Sequence, residues 1–404
     1  MSNPIIVIGA GQAAASFVAT LRSHEYEGRI IMIGDEAYLP YQRPPLSKRY
    51  LLGQMDLSRL LLRPQDWYED HKVELKLNTR VESINRQDKS VSLSNSETLN
   101  YSQLMLCTGS TPHWLPEAIG GRLSGIYTLR GLNDVDQMKH EFTEGKKLLI
   151  VGGGYIGLEA AAVASDLGLQ VTVVELADRI LQRVASPATS EYFRTIHQLN
   201  NITILENTGL KSFTDKEGHV RSALLSDGSE IAVDFVITGI GVAPNTQLAE
   251  DAGLTIDNGI AVNLQSQTSD VSIYSAGDCA SFEYQGQRIR LESVQNAVEQ
   301  AENAAMHILG EPVQYQPIPW FWSDQYKTKL QIAGLNQGYN DTVTRPGKRE
   351  GSLSIWYYKD QQFLAVDAMN DPIAYSMGRK ILAAGKNIPK EAAADVSVNL
   401  KDYT

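Results

Sequence analysis

The chain has 404 residues, with 36 Lys and Arg against 47 Asp and Glu, and a formal net charge of −11. That length supports roughly two or three domains, each able to bury a core without disulfides. The acidic balance argues against a nucleic-acid binder, which would turn a basic face to phosphates. Two distant cysteines (Cys107, Cys279) and seven histidines (24, 71, 113, 140, 197, 219, 307) at no ligand spacing exclude a zinc ribbon, a cysteine-held iron–sulfur cluster and a CxxC redox pair. No metal site is expected.

The first apolar run, Ile5-Ile6-Val7-Ile8, is strand-sized and lacks the basic flank and length of a secretory signal. No stretch approaches the ~18–20 apolar residues of a membrane span. With two isolated thiols, this predicts a protein of the reducing cytoplasm, without a membrane partner. Gly9-Ala10-Gly11-Gln12-Ala13-Ala14 follows the run at once, then a predicted helix over 14–21 and a strand over 29–33 that ends at Gly34-Asp35-Glu36. This is the G-x-G-x-x-G/A fingerprint in its strand–turn–helix–strand setting. Gly9 and Gly11 let backbone N–H groups approach a pyrophosphate at the helix N-terminus, with Ala14 in the third position. Asp35 and Glu36 compete to accept from ribose hydroxyls.

The pattern returns. A strand over 146–151 runs into Gly152-Gly153-Gly154-Tyr155-Ile156-Gly157-Leu158-Glu159, then an alanine-rich helix and a strand over 171–174 that ends at Glu175. A carboxylate there accepts from a ribose 2′-OH and repels a 2′-phosphate, so the sequence favours NADH over NADPH. Arg179 and Arg183 stand close enough to weaken that preference. A second repeat supports duplication: Leu104-Met105-Leu106-Cys107-Thr108-Gly109-Ser110-Thr111-Pro112 matches Val236-Ile237-Thr238-Gly239-Ile240-Gly241-Val242-Ala243-Pro244. Upstream, Ser94-Asn95-Ser96-Glu97 matches Ser226-Asp227-Gly228-Ser229, a hairpin turn in each copy. Two bound dinucleotides are implied, held face to face. Further on, a strand at 273–274 leads to Asp278, a helix is expected over 292–309, and the character changes around Pro317-Ile318-Pro319. Strands over 330–333, 352–358 and 363–367, then a helix over 374–384 and a polar tail, make a third domain.

Leu39-Pro40-Tyr41-Gln42-Arg43-Pro44-Pro45-Leu46-Ser47-Lys48, Gly239-Ile240-Gly241-Val242-Ala243-Pro244-Asn245, Glu292-Ser293-Val294-Gln295-Asn296-Ala297 and Trp320-Phe321-Trp322-Ser323-Asp324-Gln325 complete the set. Together, over essentially the whole chain, these residues resemble the FAD-dependent NADH:ferredoxin reductases of the putidaredoxin reductase and biphenyl and toluene dioxygenase reductase type. Monodehydroascorbate reductase and apoptosis-inducing factor are more distant relatives. The resemblance implies an α/β fold with two Rossmann-like dinucleotide-binding domains, for FAD and NAD, plus a C-terminal α+β interface domain. The segments are 1–112 (FAD), 113–245 (NAD), 246–322 (FAD, second segment) and 323–404 (interface). It also implies electron delivery to a 2Fe-2S ferredoxin and, indirectly, to a terminal oxygenase.

Arg43 suits the FAD phosphates through its fork. Lys48 would stand near flavin N5 and O4 and, by resemblance, pair with Glu159. The resemblance gives FAD also Thr108, Gly109, Asp278 (ribityl chain), Val294 (backbone N–H to the pyrimidine edge) and Trp322 (against the ring). It gives NAD Gly152, Gly154, Tyr155, Ile156, Gly157, Glu175, Arg183 and Gly241, with Glu292 toward the carboxamide. Cys107 stands where relatives usually carry alanine, and reads as a small buried thiol. No cysteine lies between Tyr41 and Ser47, where a disulfide reductase needs one. From 323 on, eleven Lys and Arg meet nine Asp and Glu, a net of +2 that leaves −13 for the first 322 residues. An acidic ferredoxin would therefore dock on this region, with Lys327, Lys329, Arg345, Lys348, Arg349, Arg379 and Lys380 as candidates. Reduction of a small radical or quinone, or a signalling flavoprotein, are the competing readings.

Overall fold

The computed structural model describes residues 3–404. They form two compact units. One comprises the residues up to Arg43, Asp56–Thr111 and Val242–Pro317; the other comprises Pro44–Met55, Pro112–Gly241 and Ile318–Thr404. Among the described residues no helix is long and apolar enough to cross a membrane.

In the first unit Ile5–Ile8 is the middle strand of a parallel sheet, ordered Ile273–Ser275, Gln103–Leu106, Ile5–Ile8, Ile30–Ile33, Val73–Lys76. Its unbroken aliphatic run is what a strand covered on both faces requires, and all four residues are buried. Ile8 pairs in register with Ile33 and Leu106, so three strands end on one edge, at Gly9, Gly34 and Cys107. That carboxyl edge is where open α/β sheets receive ligands. The helix Gln12–Ser23 packs against the helix Val294–Ile308, with Ala13, Ala14, Ala297, Ala301, Ala304 and Ala305 buried together. The second helix starts two residues later than the pattern suggests, because Ser293 accepts from the Asn296 N–H and caps it. Val81–Asn85, Ser90–Leu93 and Thr98–Asn100 form the meander, turning at 94–97.

The second unit repeats the plan. Its parallel sheet runs Thr203–Leu205, Gln170–Val174, Lys147–Val151, Phe235–Thr238, Ile126–Thr128. The meander is Leu210–Lys216, His219–Leu225 and Glu230–Ala232. The same unit holds an antiparallel sheet ordered Trp320–Gln325, Thr328–Gly334, Gln362–Met369, Leu353–Lys359, Asp341–Pro346, covered by the helix Pro372–Ala383.

The structure corrects two expectations here. The polar tail is an ordered part of the core: Lys390–Ala394 is helical, and Ile388, Ala393 and Leu400 are buried with Trp356 and Phe363. Arg345 is not a surface cation. It is 8% exposed, and its guanidinium donates to the carbonyls of Ala392, Ala393, Asp395, Val396 and Val398. A buried arginine needs such acceptors, and the chain end supplies them.

Asp367, in the middle of this sheet, is fully buried. One carboxylate oxygen accepts from Thr189 and from Tyr357. Burial pushes its carboxyl up to about 6, against the opposing pull of those two hydrogen bonds. A raised carboxyl stabilises the fold fully below the unfolded value near 4, and that contribution is lost as pH rises through about 6. Asp367→Asn, which keeps an acceptor for both hydroxyls, should therefore raise stability by up to about 3 kcal/mol near pH 8 and by little near pH 4.5. Urea midpoints of the two proteins at both pH values test this; an equal gain at both would contradict it.

Candidate functional site

Each unit presents a glycine turn whose geometry separates the three glycine roles. In the first unit Gly9 has φ +112°, and a Cβ there would lie 2.2 Å from the Cys107 carbonyl oxygen, so the turn itself demands glycine. A Cβ on Gly11 would meet nothing within 4 Å. That position is open, as the close approach of a pyrophosphate to the backbone requires. Ala14 is fully buried in the core. In the second unit Gly152 has φ +107° and its Cβ would lie 2.5 Å from the Gly239 carbonyl; at Gly157 it would lie 2.3 Å from the Gly152 carbonyl. A Cβ on Gly154 has its nearest neighbour at 4.0 Å.

The helices that follow, Gln12–Ser23 and Tyr155–Asp166, begin without a capping side chain and without an acid in the first turn. Helices starting at Pro187, Val294 and Pro372 are all capped by Ser or Asp side chains. Uncapped N–H groups with no competing acid fit a pyrophosphate. Both turns thus have the shape and polarity for a dinucleotide.

Around the first turn, Glu36 accepts from the Tyr41 hydroxyl at 2.5 Å and pairs with Arg43. Asp35 is exposed and paired with Arg80 at 3.3 Å. Burial works to lower Arg43, but Tyr41, Glu36 and Asp278 outweigh it and raise its pKa, fixing the guanidinium as a cation. Ser110 donates to Asp278 at 2.8 Å. Thr108 donates to the Asn245 carbonyl, the Asn245 amide donates back to Thr108, and the Asn245 N–H donates to Gly109. Val294 is the first residue of its helix, where a backbone N–H has no intrahelical partner. Glu292 pairs with Arg290 at 2.6 Å in this same unit. Cys107 is buried, and burial, then Cys279, push its thiol well above the ordinary value, so it is inert.

Around the second turn, Glu175 accepts from the Gly153 N–H at 2.7 Å and the Ala177 N–H at 2.8 Å, which fixes the carboxylate at the strand end. Arg179 donates to Ser190 and to the Ala185 and Ser186 carbonyls, so it is committed to shaping its own loop. That removes one of the two arginines that could receive a 2′-phosphate. A side chain on Gly241 would lie 3.6 Å from Arg183 Nη2, which brings those two candidates together. Ile156 is 45% exposed at the helix start. The Tyr155 ring packs on Phe321, 5.1 Å between centroids.

Lys48 and Glu159 also meet in the second unit. Lys48 Nζ lies 2.5 Å from Glu159 Oε2, and Ser47 donates to the same oxygen at 2.8 Å. Ser323 donates to Glu159 Oε1 at 2.7 Å. Glu159 is 5% exposed, so this carboxylate has three donors and no solvent. Trp322 lies in the same strand as Ser323 on its opposite face, its ring 5.6 Å from that of Trp320. Ser47 and Ser323 lie inside the sequence motifs, and the signal for their role is their place beside Lys48 and Trp322.

Comparison with known proteins agrees with this geometry. The pyridine nucleotide-disulphide oxidoreductase family matches residues 3–301, and the reductase C-terminal family matches residues 320–404. The chain is 39% identical to rhodocoxin reductase of Rhodococcus erythropolis, covering 98% of this chain and 93% of that protein. It is 36% identical to putidaredoxin reductase CamA of Pseudomonas putida, covering 99% and 96%. The solved covalent putidaredoxin reductase–putidaredoxin complex is similar with a TM-score of 0.96 and 36% identity, covering 99% of this chain and 98% of that one. A ferredoxin reductase from Rhodopseudomonas palustris is similar with a TM-score of 0.96, 38% identity and 99% of both chains.

Proposed function

We propose, for a chain that belongs to the pyridine nucleotide-disulphide oxidoreductase family, an NADH:ferredoxin reductase that holds FAD and NAD and passes electrons singly to a 2Fe-2S ferredoxin. The carrying observation is the pair of glycine turns, each with an open second glycine and an uncapped helix behind it. FAD supplies the conversion of a hydride into single electrons. The chain supplies binding, orientation and field.

In this reading segments 1–112 and 246–322 hold FAD, 113–245 hold NAD and 323–404 meet the partner. Gly9, Gly11 and Ala14 form the FAD turn, with Arg43 beside the phosphates, Asp35 or Glu36 at the ribose, and Asp278 along the ribityl chain. Thr108, Gly109, Val294 and Trp322 bound the flavin. Gly152, Gly154, Tyr155, Ile156 and Gly157 form the NAD turn, Glu175 selects the unphosphorylated ribose, and Arg183, Gly241 and Glu292 complete that site. Lys48, fixed by Glu159, stabilises negative charge where the flavin ring gains it. Two buried thiols, Cys107 and Cys279, support a reducing cytoplasm as the compartment.

With Arg345 removed, Lys327, Lys329, Lys348, Arg349 and Lys380 are the exposed members of the basic set, and Arg379 stacks over Trp320 at 5.6 Å. An acidic ferredoxin reaches such a face by electrostatic steering. Anaerobic titration with NADH, then addition of a 2Fe-2S ferredoxin, tests the reading: stoichiometric bleaching and fast, salt-sensitive ferredoxin reduction are expected. Charge-neutral replacement of Lys327, Lys329 and Lys380 should raise the ferredoxin KM about tenfold and flatten the salt dependence. Unchanged values would end the docking assignment, and bleaching without ferredoxin reduction would give the acceptor role to a small quinone or radical.

A further inference from the structure

The strand Trp320–Gln325 sends alternate residues to one face, and that face meets the helix Tyr155–Asp166. Two residues of strand advance about 6.6 Å and four residues of helix about 6 Å, so the two repeats keep step. Phe321 packs on Tyr155, and Ser323 bonds Glu159 four residues on. The next residue in the row, Gln325, reaches a third element, the helix Pro187–Leu199, where its Oε1 lies 2.8 Å from His197 Nε2. Its Nε2 lies 3.2 Å from Ser323 Oγ. Ser323, Gln325 and His197 are all 0% exposed, so no solvent substitutes for any link.

The carboxylate dictates the direction of every bond. Glu159 only accepts, so the Ser323 hydroxyl must donate to it. Ser323 Oγ then accepts from the Gln325 amide N–H, which turns Gln325 Oε1 toward His197. That oxygen only accepts, so His197 must carry its proton on Nε2. His197 Nδ1 is left as an acceptor, and the Tyr326 hydroxyl stands 3.4 Å from it. Burial pushes the imidazole down to about 4, against the hydrogen bond to Gln325, so the ring is neutral at ordinary pH.

We propose that Gln325 and His197 are positioning residues for the Lys48–Glu159 pair, acting through a one-way hydrogen-bond chain that fixes Ser323 as a donor to Glu159. The inference rests on the reading that this pair serves the flavin. Without the chain, Ser323 is no longer held as a donor to Oε1, and Glu159 keeps only Ser47 and Lys48 on Oε2, so the carboxylate can turn about that oxygen and take Lys48 off its aim.

The test begins with the intact flavoprotein labelled with 15N-histidine. The His197 signal, assigned by its loss in His197→Asn, should show the neutral Nε2–H tautomer with slow solvent exchange; an Nδ1–H or charged ring would overturn the chain. Gln325→Leu should lower kcat for NADH-driven ferricyanide reduction about tenfold while the NADH KM stays within about twofold. Gln325→Glu, the same shape without the donor, should do at least as much, and serves if the leucine variant fails to fold. Adding Gln325→Leu to Glu159→Gln should cost nothing further, because the Lys48–Glu159 ion pair that the chain positions is already gone. An equal loss in both backgrounds, or none in the parent, would overturn the proposal. If Glu159→Gln alone keeps the parent kcat, the pair's own role fails, a result the tautomer readout separates from failure of the chain.

Discussion

Replacing Gly154 by alanine is expected to leave a folded, yellow protein that no longer draws electrons from NADH at ordinary concentrations. The added methyl meets no atom of the protein closer than 4.0 Å, and φ is −82°, which alanine adopts freely. Exchange of glycine for alanine at a helix N-cap costs less than about 1 kcal/mol. The methyl instead occupies the space through which a pyrophosphate approaches the helix N-terminus. Loss of two charge-assisted hydrogen bonds, at about 1.5–3 kcal/mol each, raises the NADH KM roughly a hundredfold or more. Gly11→Ala should do the same to FAD and give a colourless protein of near-parent secondary structure. Gly152→Ala and Gly157→Ala are the contrast: their methyls strike backbone carbonyls at 2.5 and 2.3 Å, so they damage the fold itself. Thermal melts beside NADH titrations separate the two classes. A parent-like KM in Gly154→Ala would show that this turn does not hold the NADH pyrophosphate.

The residues most legible in the sequence were those whose role is local. Gly9, Gly152 and their neighbours can be read because the turn geometry is set within a few residues. The hairpins at 94–97 and 226–229 follow from turn chemistry alone. The helix Pro187–Leu199 is just as local, with a Ser186 cap and Pro187 in its first turn. The edge strand Asp341–Pro346 has little to show, since only Arg345 of its six residues is buried. Arg345 itself looked like docking charge because a sequence gives charge and not burial. The Gln325–His197 contact joins residues 128 apart and depends on the step of a strand matching that of a helix. No motif spacing carries that information.

Lys48→Met is expected to cost both stability and turnover, and a second substitution should recover only the first. Lys48 is 19% exposed and Glu159 6% by side chain. Removing the cation leaves a buried carboxylate held by Ser47 and Ser323 alone. Breaking a buried pair from one side destabilises by about 3–5 kcal/mol, since the remaining charge keeps its desolvation cost without its partner. Adding Glu159→Gln neutralises that charge, and the double variant should regain roughly half of the loss or more. Turnover behaves otherwise. A preorganised cation aimed at developing negative charge contributes about a hundredfold in rate, and neither methionine nor glutamine replaces it. The double variant should therefore recover at least half of the lost stability while reducing ferricyanide from NADH about a hundredfold more slowly. Recovery of both quantities would mean that the pair only holds the fold together, with the rate following stability. Recovery of neither would place the loss in packing of the lysine stem. Recovery of stability alone assigns Lys48 to the chemistry and Glu159 to keeping it there.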